Sequence, residues 1–264
     1  MAGLEENLHA VRVRIAAAAR AAGRDPSSVH LLAVSKTWPA ADVRALAALG
    51  QRDFGENRAQ ELQEKSAELP DVPLRWHFVG QLQRNKAAAV ARLGAVVHSV
   101  DRASLVGVLD RAGQEREEEP IEVFLQVDLG GAPGAAAARG GASPADVPAL
   151  ADLVGDAAGL RLRGLMAVAP RGEDPRDAFD RLAVLAAQVR ADHPEADELS
   201  AGMSGDLEAA IAAGATLVRV GTALFGDRPL PCDQTRTHQP HESHRSPGPR
   251  EHPADPADRT QTRR

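Results

Sequence analysis

Short apolar runs recur along the chain, each ending at a glycine, a proline or a polar cluster. Between them lie stretches in which apolar residues return every three or four positions. The first such stretch, residues 4–22, carries Leu4, Leu8, Val11 and Ile15 on one stripe, the spacing of an amphipathic helix. Gly23 reads as its stop and Asp25-Pro26-Ser27 as a turn. From Val29 onward, runs of strand length alternate strictly with helical patterns. Strands are predicted at 29–34, 52–54, 74–79, 95–99, 121–127, 160–168, 198–199 and 216–220. Helices are predicted at 39–49, from 57 to 69, and at 83–93, 102–114, 144–157, 177–191 and 205–213. Strict alternation requires a parallel sheet with right-handed crossovers. Eight strand–helix units in about 200 residues suit a closed (β/α)8 TIM barrel, with residues 4–22 as an extra N-terminal helix. A doubly wound open sheet is the alternative, but Gly130-Gly131-Ala132-Pro133-Gly134 lacks the spacing of a dinucleotide-binding turn.

Composition changes this picture in two places. Of 264 residues, 43% are apolar, enough for one large core, and the formal charge of 31 − 37 = −6 does not favour a nucleic-acid surface. Residues 229–264 contain seven prolines, six arginines and almost no apolar side chains. They read as a disordered tail after a domain at 1–228. The histidines of that tail, His238, His241 and His244, read as solvated side chains and not as a metal site. With Cys232 as the sole cysteine no intrachain disulfide forms. No apolar run approaches the roughly 20 residues that span a bilayer. A cytoplasmic, monomeric protein is the expectation.

In a parallel barrel, functional groups sit where strands end. Those ends offer Lys36, Asn57, His77, Gly80, Met166, Ser200 and Arg219, with Gly221-Thr222 beside the last. Lys36 follows the apolar run Leu31-Leu32-Ala33-Val34. Desolvation there favours a neutral amine able to attack a carbonyl, although many strand-end lysines are merely solvated. Ser200, Gly202, Ser204 and Gly205 precede a helix, and Gly221-Thr222 opens a short Ala-Leu-Phe turn. Small residues and serines before helices make a phosphate site, and loops after strands 7 and 8 often build one in this fold. Helix capping by Ser204 and a turn at Gly221 are the simpler account. Phosphate and amine on one rim suggest a phosphorylated carbonyl compound, either pyridoxal phosphate or a sugar-phosphate aldol substrate. Arg219 facing a pyridine nitrogen would disfavour protonating it and weaken the ring as an electron sink; a strand-end salt bridge is the alternative.

The motifs AVSKTWP (33–39), DFGENRAQE (53–61), WHFVGQLQRNK (76–86), HSVDR (98–102), GLMAVAP (164–170) and LSAGMSGDLEAAIAAGATLVRVGTALFGDR (199–228) resemble those of the pyridoxal-phosphate-binding homeostasis family, related to the N-terminal barrel of alanine racemases. They cover nearly all of residues 29–228 in order. The resemblance implies pyridoxal 5'-phosphate held as an internal aldimine at Lys36, with Asn57 near the ring. It also implies Ser200, Ser204, Gly221 and Thr222 at the phosphate, and Arg219 at the pyridine nitrogen. Met166, at the end of strand 6, completes the expected set. Two positions depart from the family pattern: Ala201, where methionine is frequent, and Arg139, where a lysine is common.

An amino-acid racemase is the competing function. Two-base racemisation needs a second base opposite Lys36, a tyrosine in alanine racemases, and the chain has no tyrosine. His77 reads as a packed residue, and Cys232 lies in the tail. The expected function is therefore to hold pyridoxal phosphate and take part in its intracellular homeostasis with little or no turnover. Pyridoxal-phosphate-dependent apoenzymes are the expected recipients, and no nucleic acid, membrane or metal is expected.

Overall fold

The computed structural model describes residues 2–130 and 140–226. The tail at 229–264, Cys232 and Arg139 lie outside the described residues, as does the greater part of the Gly-rich loop. Helix α1 (Ala2–Ala21) is followed by a 3-10 turn (Pro26–Ser28) and then by alternating elements. These are β1 (His30–Val34), α2 (Ala40–Ala48), β2 (Asp53–Glu56), α3 (Ala59–Glu68), β3 (Arg75–Phe78), α4 (Arg84–Arg92), β4 (Val96–Val100) and α5 (Ala103–Gln114). There follow β5 (Ile121–Gln126), α6 (Val147–Gly155), β6 (Leu160–Met166), α7 (Pro175–Asp192), β7 (Glu198–Ser200), α8 (Leu207–Ala212), β8 (Leu217–Val220) and α9 (Thr222–Phe225). All strand pairs are parallel and the order is sequential, β8 pairing with β1 to close the barrel. The expected barrel is the fold, and the open sheet is excluded.

The predicted elements are all present, with shifted ends. β2 runs two residues further than the pattern suggests, because Gly55 and Glu56 stay extended and pair with His77 and Phe78. β6 stops at Met166 and not at Val168. α6 starts at Val147 because Pro144–Asp146 form a turn closed by Ser143 Oγ donating to Asp146 Oδ2 at 2.7 Å. α7 starts earlier than its periodicity suggests, where Asp174 accepts the Arg176 N–H at 2.9 Å as N-cap.

Helix α1 buries Leu8, Val11 and Ile15 of the stripe read from the sequence, together with Ala19, while Leu4 is partly buried. It is also tied down by polar bonds. Asn7 Nδ2 donates to Leu224 O at 2.9 Å and Arg14 Nη1 to Ser204 O at 2.8 Å. The loop just after α1 does the same, Arg24 Nη1 reaching Ala215 O at 2.7 Å. The extra helix thus braces the two segments that follow β7 and β8.

Charges cluster at the N-terminal ends of the strands. Arg75 lies between Asp53, at 3.8 Å, and Glu122, and Arg163 lies between Glu122, at 3.6 Å, and Glu198, at 3.0 Å. Alternating signs from β2, β3, β5, β6 and β7 close that end of the barrel.

β6 carries a bulge at Arg163, since Val123 pairs with Leu162 and Phe124 with Gly164. Gly164 there has φ +147°, and a Cβ would lie 1.8 Å from Glu198 O. We expect Gly164→Ala to cost about 3 kcal/mol or more in urea denaturation. An unchanged midpoint would contradict this approach of β6 to β7.

Candidate functional site

At the C-terminal rim lies a cavity of about 440 Å³ lined by Lys36, Met166, Ser204, Arg219, Gly221 and Thr222. Five residues chosen from strand ends, with Ser204 from the loop after strand 7, therefore meet in one space. Two others do not line it. Ser200 is fully buried, directed into the barrel behind Arg219. Asn57, just past β2, keeps its Oδ1 buried without a hydrogen-bond partner. Gly80 packs against it so closely that a Cβ would lie 2.2 Å from Asn57 O. The sequence reading missed Trp38, Gln81, Gln126 and Met203 in the lining. Trp38 had a signal, being two residues past Lys36 in the same motif. It is held by stacking on Phe225, with ring centroids 5.6 Å apart.

Lys36 sits two residues beyond β1 on a segment that buried charges hold in place. Ser35 Oγ donates to Glu56 Oε1 at 2.7 Å, and Lys65 Nζ donates to the same oxygen at 2.6 Å and to Ser35 O at 2.7 Å. Glu61 accepts from Lys65 at 3.1 Å and from the backbone N–H of Thr37. Thr37 has φ +70°, unusual for a β-branched residue. The ion cluster over-determines this turn, which is how a strained backbone persists. Burial pushes the Glu56 carboxyl upward, against the bonds from Lys65 and Ser35.

Arg219, on β8, is buried, and its Nη1 donates to Ser200 O at 2.6 Å and to Ser200 Oγ at 2.8 Å. Its Nη2 donates to Ala167 O at 2.8 Å. A guanidinium has five N–H donors, so at least two remain for the cavity. Burial lowers its pKa to about 10, which leaves it charged near neutrality. Among the described residues Arg219 forms no salt bridge; carbonyls and a hydroxyl receive it instead.

Behind Arg219 a polar chain continues through the barrel. Ser200 Oγ lies 3.0 Å from His98 Nδ1, His98 Nε2 lies 2.9 Å from His77 Nδ1, and His77 Nε2 lies 3.0 Å from Asp53 Oδ1. β4 and β7 are not neighbours in the barrel, so the His98–Ser200 contact crosses its interior. Phe124 stacks on His98 at 4.4 Å. Burial pushes both imidazoles below their ordinary range, His98 well below, with His77 and Arg219 adding to it.

The loops after β7 and β8 approach each other at Ser204, whose Oγ accepts the Ala223 N–H at 3.4 Å. Gly202 has φ +88° and packs on α8, where a Cβ would lie 2.7 Å from Ala210. Gly221 passes so close to β1 that a Cβ would lie 3.2 Å from Val34 O. Ser204-Gly205 and Gly221-Thr222 thus face the same cavity as Lys36.

Residues 7–229 match the family model of the alanine racemase N-terminal domain. The chain is 49% identical over 233 residues to the pyridoxal phosphate homeostasis protein of Pseudomonas aeruginosa, covering 86% of this chain and 97% of that one. The structure of PipY from Synechococcus elongatus with pyridoxal phosphate bound superposes with a TM-score of 0.73 at 39% identity, covering 84% of this chain and all of PipY. Alanine racemase from Corynebacterium glutamicum shares the fold at 16% identity and a TM-score of 0.60, with 63% of that chain covered. The chain belongs to the family of pyridoxal phosphate homeostasis proteins, built on the alanine racemase N-terminal domain.

Two outcomes follow from the buried ionisable groups. Lys65→Met leaves Glu56 without its cation, and we expect a loss of about 3–5 kcal/mol in chemical denaturation. The histidines have folded pKa values below their unfolded ones, so the unfolded chain takes up protons first. Stability should be full above about pH 6.5 and fall as the pH drops below it. Denaturation midpoints across that interval check this, and a flat profile would contradict neutral buried imidazoles.

Proposed function

We propose that this protein binds pyridoxal 5'-phosphate at the C-terminal rim and takes part in its intracellular homeostasis, with little or no turnover of its own. The observation that carries the reading is a single cavity joining Lys36, Arg219 and the two loops at Ser204 and Gly221-Thr222. The names of the relatives and the ligand of PipY support it. The residues present fit the cofactor. Asn57 has an orphaned buried oxygen, Arg219 has unused donors, and Trp38 and Met166 supply apolar walls.

Pyridoxal phosphate brings an aldehyde that condenses with amines. Lys36 Nζ is the amine in the cavity lining that would hold it. Ser204, Gly221 and Thr222 hold the phosphate. Arg219 would face the pyridine nitrogen, Asn57 and Met166 would lie against the ring, and Ser200 would act through Arg219. A charged guanidinium at the nitrogen keeps that atom unprotonated and suppresses carbanion chemistry. No tyrosine is available as a second base. His77 cannot replace it, because Asp53 and His98 occupy both its nitrogens inside the barrel.

The barrel at 1–228 is the functional domain. Exposed large apolar residues among those described, Val13, Leu153, Val168, Val184 and Met203, are spread over five segments. Val168 and Met203 lie together in the cavity lining, and a soluble, cytoplasmic monomer handing its cofactor to apoenzymes is the role that goes with this reading.

Incubation with pyridoxal phosphate should produce a visible absorbance band that Lys36→Ala abolishes. A wild-type protein that stays colourless overturns the proposal. Racemase, transaminase and decarboxylase assays over a panel of amino acids should give background rates, and a robust turnover would assign an enzyme instead.

A further inference from the structure

The chain Arg219–Ser200–His98–His77–Asp53 has only one arrangement of protons that satisfies every member. A guanidinium cannot accept, so Ser200 Oγ accepts from Arg219 Nη1 at 2.8 Å. The hydroxyl has one proton, and the remaining partner is His98 Nδ1 at 3.0 Å. His98 Nδ1 is therefore bare, and its ring proton sits on Nε2, donating to His77 Nδ1 at 2.9 Å. His77 then carries its proton on Nε2, where it donates to Asp53 Oδ1 at 3.0 Å. The reverse polarity would leave the Ser200 hydroxyl proton without an acceptor and set the His77 Nε2 lone pair against a carboxylate. Ser200 beside a histidine is thus no hydrolytic nucleophile, since it is fully buried and already receives Arg219.

We infer that His98 is a positioning residue for the cofactor cavity, which by accepting the Ser200 hydroxyl proton fixes Ser200 as an acceptor for Arg219 and so sets how the guanidinium presents its remaining N–H groups. His77 and Asp53 lock the tautomer that allows this. The stack of Phe124 on His98 fixes the ring plane. The role rests on the proposed binding of pyridoxal phosphate, whereas the proton arrangement does not.

Two measurements on the full chain test the two parts. In the unloaded protein with 15N-labelled histidine, long-range proton–nitrogen correlation near neutral pH should show both rings neutral, with Nδ1 bare and Nε2 protonated. Signals are assigned by their loss in His77 and His98 variants. Either ring protonated at Nδ1, or doubly protonated, overturns the inference. Pyridoxal phosphate affinity is then compared in His98→Phe, which has no acceptor, and His98→Asn, whose amide oxygen takes the place of Nδ1. His98→Phe should bind about tenfold more weakly, the worth of one buried hydrogen bond, and His98→Asn should stay within about threefold of wild type. Equal losses in both variants, or none in either, overturn the positioning role. If His98→Phe does not fold, the tautomers of the wild type and the affinity of His98→Asn still decide. A wild-type protein that binds no pyridoxal phosphate defeats the proposed function and the positioning role with it, while the tautomer measurement still judges the chain.

Discussion

Pairing of the first strand with the last is the constraint on which the site depends. Leu32 lies opposite Arg219 and Ala33 opposite Val220 in that ladder, and Gly221 passes close to Val34. Closure therefore brings Lys36, near the start of the chain, beside a loop almost two hundred residues later. The long loop-closure cost of such a contact is carried by seven intervening strand pairs, each local in sequence order. Gly221 matters here for its lack of a side chain, which allows the close approach of the two backbones.

A second demand comes from polarity inside a closed barrel. Buried polar groups must find partners, and unpaired ones cost several times what a made bond gains. Two networks meet that demand. Glu56, Lys65 and Glu61 hold the turn bearing Lys36. The chain from Arg219 to Asp53 runs through the interior to the ring of charges at the opposite end. The loops after β7 and β8, braced by α1 through Arg14 and Asn7, complete the rim. The cavity is thus bordered by groups whose orientation is already determined before any ligand arrives, the general condition for binding without large reorganisation.

Much of this was legible beforehand. Strict alternation of apolar runs and helical periods implied the parallel barrel, and strand ends pointed to Lys36, Met166, Arg219 and Gly221-Thr222. Ser200, expected at the phosphate, has a fully buried side chain. Its position just before a Gly- and Ser-rich loop suggested a phosphate ligand, whereas the pleat turns its side chain inward, toward His98. His77 read as a packed residue and is one, but nothing in WHF announced that its partner would be a histidine from the next strand. Lys65 carried no signal at all, since a helical lysine four residues after a glutamate reads as a solvated pair.

What the sequence determined alone is what depends on local periodicity and residue type: the order of elements, the closed parallel sheet, the rim lysine and arginine, and the missing tyrosine. Only the tertiary structure decided which polar side chains share a partner across the barrel. That depends on strand register and on the direction of each pleat, and a shift of one residue would turn Ser200, His98 and Arg219 to the outer face.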